Sequence, residues 1–410
     1  MGSLGLVCAY RSDAAGPGPV HLSSIRVGRV ARTVILGGGF GGVSTAHHLR
    51  MLAPEHEVVL IDRATHFMMG FRKSGELVGR EPMIEGRRPL AALENHGVRV
   101  VQGALTRVDP AARGAEVRGE TLEGDALVIA LGAETVPGAV PGLAEFGHDI
   151  YDAKQVPAAS ARLAGLREGR VVIGIFGAPY ICPPAPYEMA LLAHEAAESR
   201  GANLSFHVFT PQPMSLPVLG TAGCEVIEGR LGYRGIGFGA NAKASRVEED
   251  LVVMAQGDDI PFDLLLAVPP HRCPRVLVEA GLAEEGGWVK VDAATLETGT
   301  ENVWALGDCT AIPLATGQPL PRAGVLAEAE GRVVAERIAA GFNGIRPEAT
   351  FAGEGACYLE TGGGEAMMVK GRFLAEPAPD VQLIGPSAQL LEEKRAYERD
   401  RLETWFGPAA

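Results

Sequence analysis

Short runs of apolar residues recur along this 410-residue chain, separated by helical segments or turn residues. Each run is too short for a helix and is rich in valine, isoleucine and leucine, which is typical of strands buried on both faces. The pattern predicts strands near residues 34–36, 58–61, 98–101, 125–132, 170–176, 204–209, 263–268, 287–291 and 302–307. Because continuously apolar strands that alternate with helices form parallel sheets, the chain is predicted to be an α/β protein.

Residues 33–62 carry a glycine motif between two of these strands. Gly37, Gly39 and Gly42 have G-x-G-x-x-G spacing, a helical segment follows, and Asp62 ends the second strand. The first glycine permits a tight turn, the second lets a pyrophosphate approach the backbone, and the third lets helix pack on strand. The helix N-terminus binds phosphate, and the acid binds a ribose hydroxyl. The motif predicts dinucleotide binding, with an ordinary glycine-rich turn as the alternative.

A second β-α-β unit starts near residue 170 and has no such motif. Its turn, residues 177–186, reads Gly-Ala-Pro-Tyr-Ile-Cys-Pro-Pro-Ala-Pro. Prolines lack backbone N–H donors, and the larger side chains block a pyrophosphate. We therefore expect a nicotinamide dinucleotide to bind poorly here. The turn carries Cys182 instead, and the N-terminus of the helix predicted over residues 188–199 should lower the pKa of this thiol.

The pattern as a whole predicts two Rossmann-like three-layer domains and a small C-terminal α+β unit. Further helices are predicted over residues 86–95, 325–340 and 387–406. The expected segments are a disordered tail over 1–30, the first part of the dinucleotide-binding domain over 31–143, the second Rossmann-like domain over 144–268, a return to the first domain over 269–345, and the C-terminal unit over 346–410.

Composition and charge argue against several kinds of binding partner. The formal net charge of −13 argues against nucleic acid and anionic membrane surfaces. No apolar run approaches the ~20 residues that cross a bilayer, and residues 1–30 lack the apolar stretch of a secretory signal. We therefore expect a cytoplasmic protein. The last predicted helix has an uneven apolar stripe among charges of both signs, which favours packing on the first domain over peripheral membrane contact.

The cysteines are scattered and include no C-x-x-C pair, which argues against a zinc site or a disulfide-rich fold, and no metal site is predicted. For three of them, Cys224, Cys273 and Cys309, we expect small buried hydrophobic side chains. The remaining cysteines are Cys8, Cys182 and Cys357.

Four further motifs give the chain a family resemblance. They are GAPYICPPAPYE from residue 177, PPHRCP from residue 269, GDC with PRAG downstream within residues 307–324, and ACYLE from residue 356. Together they resemble the sulfide:quinone oxidoreductase family and the flavoprotein subunit of flavocytochrome c sulfide dehydrogenase. Both belong to the flavoproteins with two dinucleotide-binding domains, and the resemblance covers residues 31–407.

The resemblance implies an FAD-dependent oxidoreductase. In that family, cysteines equivalent to Cys182 and Cys357 form a disulfide or polysulfide bridge over the flavin, a small sulfur donor attacks one sulfur, and electrons pass through FAD to a quinone or cytochrome c. The cofactor-binding positions implied are Gly37, Gly39, Phe40, Gly41, Gly42, Asp62, Arg63, Ala104, Ala130, Leu131, Gly132, Gly307, Asp308, Arg322, Ala323 and Gly324.

Three departures from the family pattern matter. Residues 63–80 contain no cysteine for a covalent flavin bond, so we expect noncovalent FAD. Quinone-reducing members often have a third cysteine where this chain has Tyr151. Arg322 stands where members often have lysine, and its planar guanidinium differs from an ammonium in the bonds it can make.

Two alternatives stay open. A type II NADH:quinone dehydrogenase-like enzyme would need a working nicotinamide turn at residues 177–186, and a non-catalytic electron-transfer flavoprotein would need a partner chain. A disulfide reductase of the glutathione reductase type is disfavoured because residues 9–181 contain no cysteine. The sequence leaves open the electron acceptor, the sulfur product, the contact between Cys182 and Cys357, homodimer formation and the role of residues 1–30.

Overall fold

The computed structural model describes residues 30–408, so the predicted tail and Cys8 lie outside the described residues, apart from Val30. The first part of the chain contains β1 (Arg32–Leu36), α1 (Phe40–Leu52), β2 (Glu57–Asp62), β3 (His66–Met68), α2 (Arg72–Leu77), β4 (Arg87–Pro89), β5 (Val98–Gln102), β6 (Leu105–Asp109), β7 (Gly114–Val117), β8 (Glu120–Glu123), β9 (Ala126–Ile129), β10 (Glu134–Thr135) and α3 (Leu143–Phe146).

The middle part contains β11 (His148–Asp149), α4 (Val156–Gly165), β12 (Glu168–Ile175), α5 (Ala185–Ser199), β13 (Asn203–Phe209), α6 (Gly220–Tyr233), β14 (Gly237–Gly239), β15 (Ala244–Val247), β16 (Leu251–Met254), β17 (Ile260–Pro261), β18 (Leu264–Val268) and β19 (His271–Arg272). The last part contains α7 (Arg275–Glu279), β20 (Val289–Lys290), β21 (Val303–Ala305), β22 (Thr310–Ala311), α8 (Gly324–Phe342), β23 (Glu354–Gly362), β24 (Glu365–Arg372), β25 (Asp380–Ser387) and α9 (Ala388–Phe406).

The first parallel sheet has the order β21-β9-β1-β2-β5. Its strands are apolar on both faces because α1 and α8 cover one face and a three-stranded antiparallel sheet, β6-β7-β8, covers the other. Gly331 in α8 lets the two helices approach, since a Cβ there would lie 2.5 Å from the carbonyl oxygen of Gly41 in α1. The α/β fold with Rossmann-like parallel sheets is therefore as predicted.

The second parallel sheet has the order β11-β18-β12-β13-β14. Helices α4, α5 and α6 pack on one face of it, and the antiparallel strands β15, β16 and β17 pack on the other. Strands of this sheet come only from the middle part of the chain, whereas β21 of the first sheet comes from the last part. The segment boundaries at residues 143, 268 and 345 stay predictions.

The C-terminal unit is an antiparallel sheet, β23-β24-β25, followed by α9. Ser387 caps this helix by accepting a hydrogen bond from the Leu390 N–H at 3.3 Å. Trp405, near its end, is 1% exposed and stacks edge-on against Phe40 and Phe67, which belong to the first domain. The apolar stripe of α9 thus packs on the first domain, as predicted.

Two local predictions differ from the structure. The helix predicted over residues 86–95 is wrong, because β4 occupies its start and a 3-10 helix, Leu90–His96, follows Pro89. Pro89 has an extended backbone (φ −60°, ψ 129°) and no N–H, so a helix cannot pass through it. Helix α5 begins at Ala185 rather than at Glu188, which places its first turn closer to Cys182.

Candidate active site

The glycine turn between β1 and α1 has the geometry that a dinucleotide phosphate requires. Gly37 has φ +107°, and a Cβ there would lie 2.2 Å from the carbonyl oxygen of Ala130. A Cβ on Gly42 would lie 1.8 Å from the carbonyl oxygen of Gly37, whereas a Cβ on Gly39 would meet nothing within 4 Å. The first and third glycines are therefore needed for packing, while Gly39 leaves its backbone open to a ligand at a helix N-terminus that has no side-chain cap.

Asp62 fixes the neighbouring strand end against this turn. Its Oδ2 accepts a hydrogen bond from the Gly38 N–H at 2.5 Å, and its Oδ1 accepts one from the Ala64 N–H at 2.6 Å. Arg63 and Ala104 are exposed beside it, at the same edge of the sheet. The parallel register of β1 with β2 and β9 brings the predicted residues of all three strand ends together. Gly132 follows β9 with φ +67° and open space around it.

Asp308 and Arg322 form a second polar cluster, with atoms that lack partners within residues 30–408. Arg322 Nε donates to the Asp308 carbonyl oxygen at 2.9 Å, and its Nη2 donates to the Thr310 carbonyl oxygen at 3.3 Å. Its guanidinium carbon lies 3.7 Å from the Trp288 ring centroid. Arg322 Nη1 and Asp308 Oδ1 are both buried without a hydrogen-bond partner among the described residues. Because buried polar atoms are normally satisfied, these two atoms fit an additional polar ligand.

The predicted FAD fits this set of residues. Its phosphates would lie at Gly39 and the start of α1, its ribose at Asp62, and its polar flavin and ribityl atoms near Asp308 and Arg322. Ala323 and Gly324 begin α8, whose N-terminus also has no side-chain cap. The contacts of all the predicted positions with the cofactor, including those of Gly41, Leu131 and Gly307, stay predictions.

Both candidate cysteines line one cavity of about 270 Å³, which we call the cysteine cavity. Its wall also includes Phe40, Lys73, Tyr151, Glu188, Asp308, Arg322, Tyr358, Lys394 and Tyr397. The cavity therefore joins the cysteines to the residues predicted to hold the flavin, although these segments are far apart in sequence.

Each cysteine is held by a different element. Cys182 lies in the turn between β12 and α5 and has φ +45°, a region that side chains other than glycine rarely adopt. Its N–H donates to the Arg322 carbonyl oxygen at 2.6 Å, and its carbonyl oxygen accepts from the Tyr151 hydroxyl at 3.1 Å. Cys357 lies in β23, opposite Val369 of β24. A turn and a strand from distant parts of the chain thus each contribute one cysteine to the cavity.

The expectation that the helix N-terminus lowers the pKa of the Cys182 thiol is wrong. Burial and, secondarily, the Glu188 carboxylate raise the pKa of Cys182 to about 11, against the opposing charges of Lys73 and Lys394. Burial likewise raises the pKa of Cys357 to about 12. Desolvation of the thiolate outweighs the helix end here, although both cysteines are partly exposed to the cavity.

A buried ionic cluster forms one wall of the cavity and was not predicted. Lys394 Nζ lies 3.2 Å from Glu188 Oε2 and 2.7 Å from Glu360 Oε1. Glu188 Oε2 also accepts from the Glu360 N–H at 2.8 Å. Sequence gave no signal for Lys394, because it stands in a helix with many charged residues whose partners come from two other elements.

The other cysteines behave as expected. Cys224, Cys273 and Cys309 are free and buried, with exposures of 2%, 4% and 0%. Among residues 30–408, no group of three or more histidine, cysteine or acidic residues could hold a metal ion. Within the same residues, none of the helices combines the length and apolar character needed to cross a bilayer.

Comparison with known proteins identifies a family and several relatives. The sequence model of the pyridine nucleotide-disulphide oxidoreductase family matches residues 31–331. A sulfide-quinone reductase of Aquifex aeolicus is 28% identical over 74% of this chain and 75% of its own length. The mitochondrial sulfide:quinone oxidoreductase of Mus musculus is 24% identical over 89% of this chain and 84% of its own.

Solved structures give the same fold. The crystal structure of the sulfide:quinone oxidoreductase from Aquifex aeolicus superposes with a TM-score of 0.83 at 24% identity, covering 92% of both chains. An NDH2 from Plasmodium falciparum in complex with NADH superposes with a TM-score of 0.69 at 12% identity, covering 92% of this chain and 96% of the other.

Proposed function

This chain belongs to the pyridine nucleotide-disulphide oxidoreductase family, and we propose that it oxidises sulfide or a related small sulfur species with Cys182 and Cys357 as its redox pair. It is an FAD-dependent oxidoreductase, as the sequence predicts, and the resemblance to sulfide:quinone oxidoreductases is confirmed by its relatives. The observation that carries the proposal is the shared cavity, which places both cysteines on the wall that includes Asp308 and Arg322.

Cys182 and Cys357 are free thiols in the structure. The sulfur chemistry needs them joined as a disulfide, a two-electron oxidation for which bound FAD would be the acceptor. Hydrosulfide then attacks one sulfur, a new S–S bond forms, and the Cys182–Cys357 bond breaks. The products are a persulfide on one cysteine and a thiolate on the other, so charge and atoms balance. Bound FAD would supply an acceptor for the two electrons that the sulfur substrate loses.

The chain's residues have distinct parts in this scheme. Hydrogen bonds hold both the backbone N–H and the carbonyl oxygen of Cys182, so its sulfur can stay in place when the bridge opens. Cys357 lies within a hydrogen-bonded strand pair, which is also a rigid element. We propose that the predicted cofactor positions bind FAD without a covalent bond, since no cysteine occurs in residues 63–80.

For the electron acceptor we propose a quinone. The cysteine cavity contains aromatic side chains, including Phe71, Tyr358 and Tyr397, beside the Lys394 cluster. Aromatic walls bind a planar quinone ring. Two relatives are named for quinone, whereas a short stretch of 37 residues is 51% identical to a flavocytochrome c sulfide dehydrogenase chain of Chlorobaculum thiosulfatiphilum. A cytochrome c is therefore the alternative acceptor.

Anaerobic titration of the purified holoprotein tests the proposal. Sulfide should bleach the flavin absorbance of the wild type, and Cys182→Ser and Cys357→Ser should each abolish the bleaching. Cys224→Ser serves as the matched control, because Cys224 is buried in α6 outside the cysteine cavity. Wild-type protein that millimolar sulfide leaves oxidised would contradict the proposal.

The same titration distinguishes sulfide oxidation from the NADH dehydrogenase alternative. The prolines of the turn before α5 leave few backbone donors for a nicotinamide dinucleotide, so NADH should bleach the flavin slowly or not at all. Rapid bleaching by NADH, with none by sulfide, would favour that alternative. Turnover of the isolated chain with a soluble quinone would exclude the alternative of a non-catalytic subunit. Membrane contact and dimer formation stay predictions.

A further inference from the structure

Lys73 is a lysine of the cysteine cavity whose charge has no carboxylate partner. Its Nζ donates to the Tyr151 carbonyl oxygen at 2.9 Å and lies 5.6 Å from the centroid of the Tyr151 ring. Within residues 30–408, no carboxylate oxygen lies within 4.0 Å of this ammonium. An ammonium has three donors, so at least one N–H of Lys73 is left for the cavity.

The other cations of the cavity are already engaged. Lys394 lies within salt-bridge distance of both Glu188 and Glu360. Arg322 is stacked on Trp288 and donates to two backbone carbonyl oxygens, and its remaining donor, Nη1, is the atom assigned above to the bound flavin. Lys73 is therefore the cation whose charge remains available to a new anion in this cavity.

Tyr151 links Lys73 to Cys182. Its carbonyl oxygen accepts the Lys73 hydrogen bond, and its hydroxyl donates to the Cys182 carbonyl oxygen at 3.1 Å. Tyr151 is itself only 8% exposed, so the link lies in a closed environment. One buried residue thus contacts both the lysine and the cysteine, the first through its backbone carbonyl oxygen and the second through its hydroxyl.

We propose that the Lys73 ammonium is the counter-charge that stabilises anionic sulfur on Cys182. The proposal rests on the proposed function, in which Cys182 alternates between a bridged sulfur and a thiolate. An opposite charge near a buried thiolate offsets part of the desolvation cost, and such pairs shift the pKa of a group by about 1 to 3 units. Lys73 is therefore a positioning residue, because it acts through the charge state of the Cys182 sulfur.

Other groups also face Cys182, and they bear on its titration. They are Tyr151 after β11, Tyr180 in the same turn, Glu188 on α5, Asp308 after β21, Cys357 on β23 and Lys394 on α9. Glu188 and Asp308 raise the pKa of Cys182, whereas Lys73 and Lys394 lower it. Burial lowers the pKa of Lys73, and an anionic Cys182 opposes this, as do the carboxylates of Asp149, Asp152 and Asp308.

Alkylation of Cys182 measures this charge state without sulfide. The holoprotein is reduced with a phosphine, reacted with iodoacetamide across pH 7 to 11, and analysed by peptide mass spectrometry for Cys182 alone. In Lys73→Met and Lys73→Gln, the alkylation rate of Cys182 at a fixed pH well below its midpoint should fall about tenfold. Lys73→Arg should restore most of the wild-type profile.

Lys154→Met is the control, because Lys154 is exposed three residues beyond Tyr151. It should match the wild type. A profile for Lys73→Met and Lys73→Gln that equals the wild-type profile, in proteins that retain their flavin spectrum, would overturn the proposal. The proposal would also be overturned if Lys73→Arg gave the same Cys182 alkylation profile as Lys73→Met. If either neutral variant fails to fold, the other gives the same comparison.

The alkylation measurement can fail or succeed separately from the sulfide titration that tests the proposed function. Wild-type protein that sulfide does not bleach would contradict sulfide oxidation, whereas the alkylation profile would still show whether Lys73 sets the charge on Cys182. In the converse outcome, sulfide bleaches the wild-type flavin while the Cys182 alkylation profile stays unchanged in the Lys73 variants. That outcome would contradict the role of Lys73 and leave sulfide oxidation supported.

Discussion

The guanidinium of Arg322 lies flat enough on Trp288 for its carbon to be 3.7 Å from the ring centroid. Nε and Nη2 are used by backbone carbonyl oxygens, so Nη1 is the nitrogen left for a ligand. Lysine, with one nitrogen and no planar surface, could not make all these contacts at once. The position where relatives often have lysine is therefore built here around arginine.

We predict that Arg322→Lys weakens FAD binding by about tenfold or more, since a hydrogen bond from a charged donor is worth about 1.5–3 kcal/mol. Trp288→Ala should cause a smaller loss of FAD affinity, because it removes the stacking partner of Arg322 and keeps the N–H donors of that arginine. The increase in FAD fluorescence on release measures both. Arg275→Lys, at an exposed salt bridge, is the control. FAD affinity equal to the wild type in Arg322→Lys would contradict the assignment.

Gly39 and Gly42 should respond differently to alanine. In Gly42→Ala the new Cβ would lie 1.8 Å from the Gly37 carbonyl oxygen, so the turn must move and stability should fall by about 1–3 kcal/mol. Gly39 has φ −83° and open space, so Gly39→Ala should fold with a change within about 0.5 kcal/mol. It should nevertheless lose FAD, because the methyl group occupies the phosphate side of the turn. Urea denaturation and flavin content together test this contrast.

Removing Lys394 should destabilise the protein strongly. Lys394→Met leaves Glu188 and Glu360 without their cation, and Glu188 is only 3% exposed. Breaking one side of a buried ion pair costs about 3–5 kcal/mol. Urea denaturation should show this loss, while Lys370→Met, at an exposed position of β24, should leave the midpoint unchanged. A Lys394→Met variant as stable as the control would show that the cluster contributes nothing to folding.

Asp308 should make the stability of FAD-depleted protein depend on pH. Burial raises the pKa of Asp308 from 3.8 to about 6, so the folded protein holds its proton more tightly than the unfolded chain. Stability is then fully present below pH 4 and falls as pH rises through 6. Asp308→Asn should be more stable than the wild type at pH 7.5, on the order of 2 kcal/mol after allowing for its partial exposure. The difference should vanish near pH 3.5, as thermal denaturation across pH would show.

The sequence predicted the parts of the site whose chemistry is written in local patterns. The glycine turn, Asp62 and the Gly-Asp pair at residues 307–308 each follow a buried strand, and parallel strands bring such ends to one edge. The two cysteines were singled out by their motifs. Helix α5 was placed nearly correctly because its apolar residues and flanking prolines are local signals.

The remaining features depend on tertiary packing. Lys73, Tyr151 and Lys394 stand in a six-residue helix, a turn and a charged helix, and nothing near them in sequence indicates a common cavity. The thiol pKa was predicted in the wrong direction because a helix N-terminus is visible in sequence, whereas burial of the sulfur is not. The strand β4 in place of a predicted helix follows from Pro89, whose effect was underestimated.

The order of strands in the first sheet also has a consequence for how the protein is made. Strand β9 pairs with β1 on one side and with β21 on the other, and β21 is translated only after the whole second sheet. While the ribosome is still producing that second sheet, β9 has an open apolar edge with unpaired backbone groups, which is the feature that promotes aggregation. The nascent chain should therefore bind chaperones until residue 305 has emerged, and fragments that stop before it should accumulate in inclusion bodies.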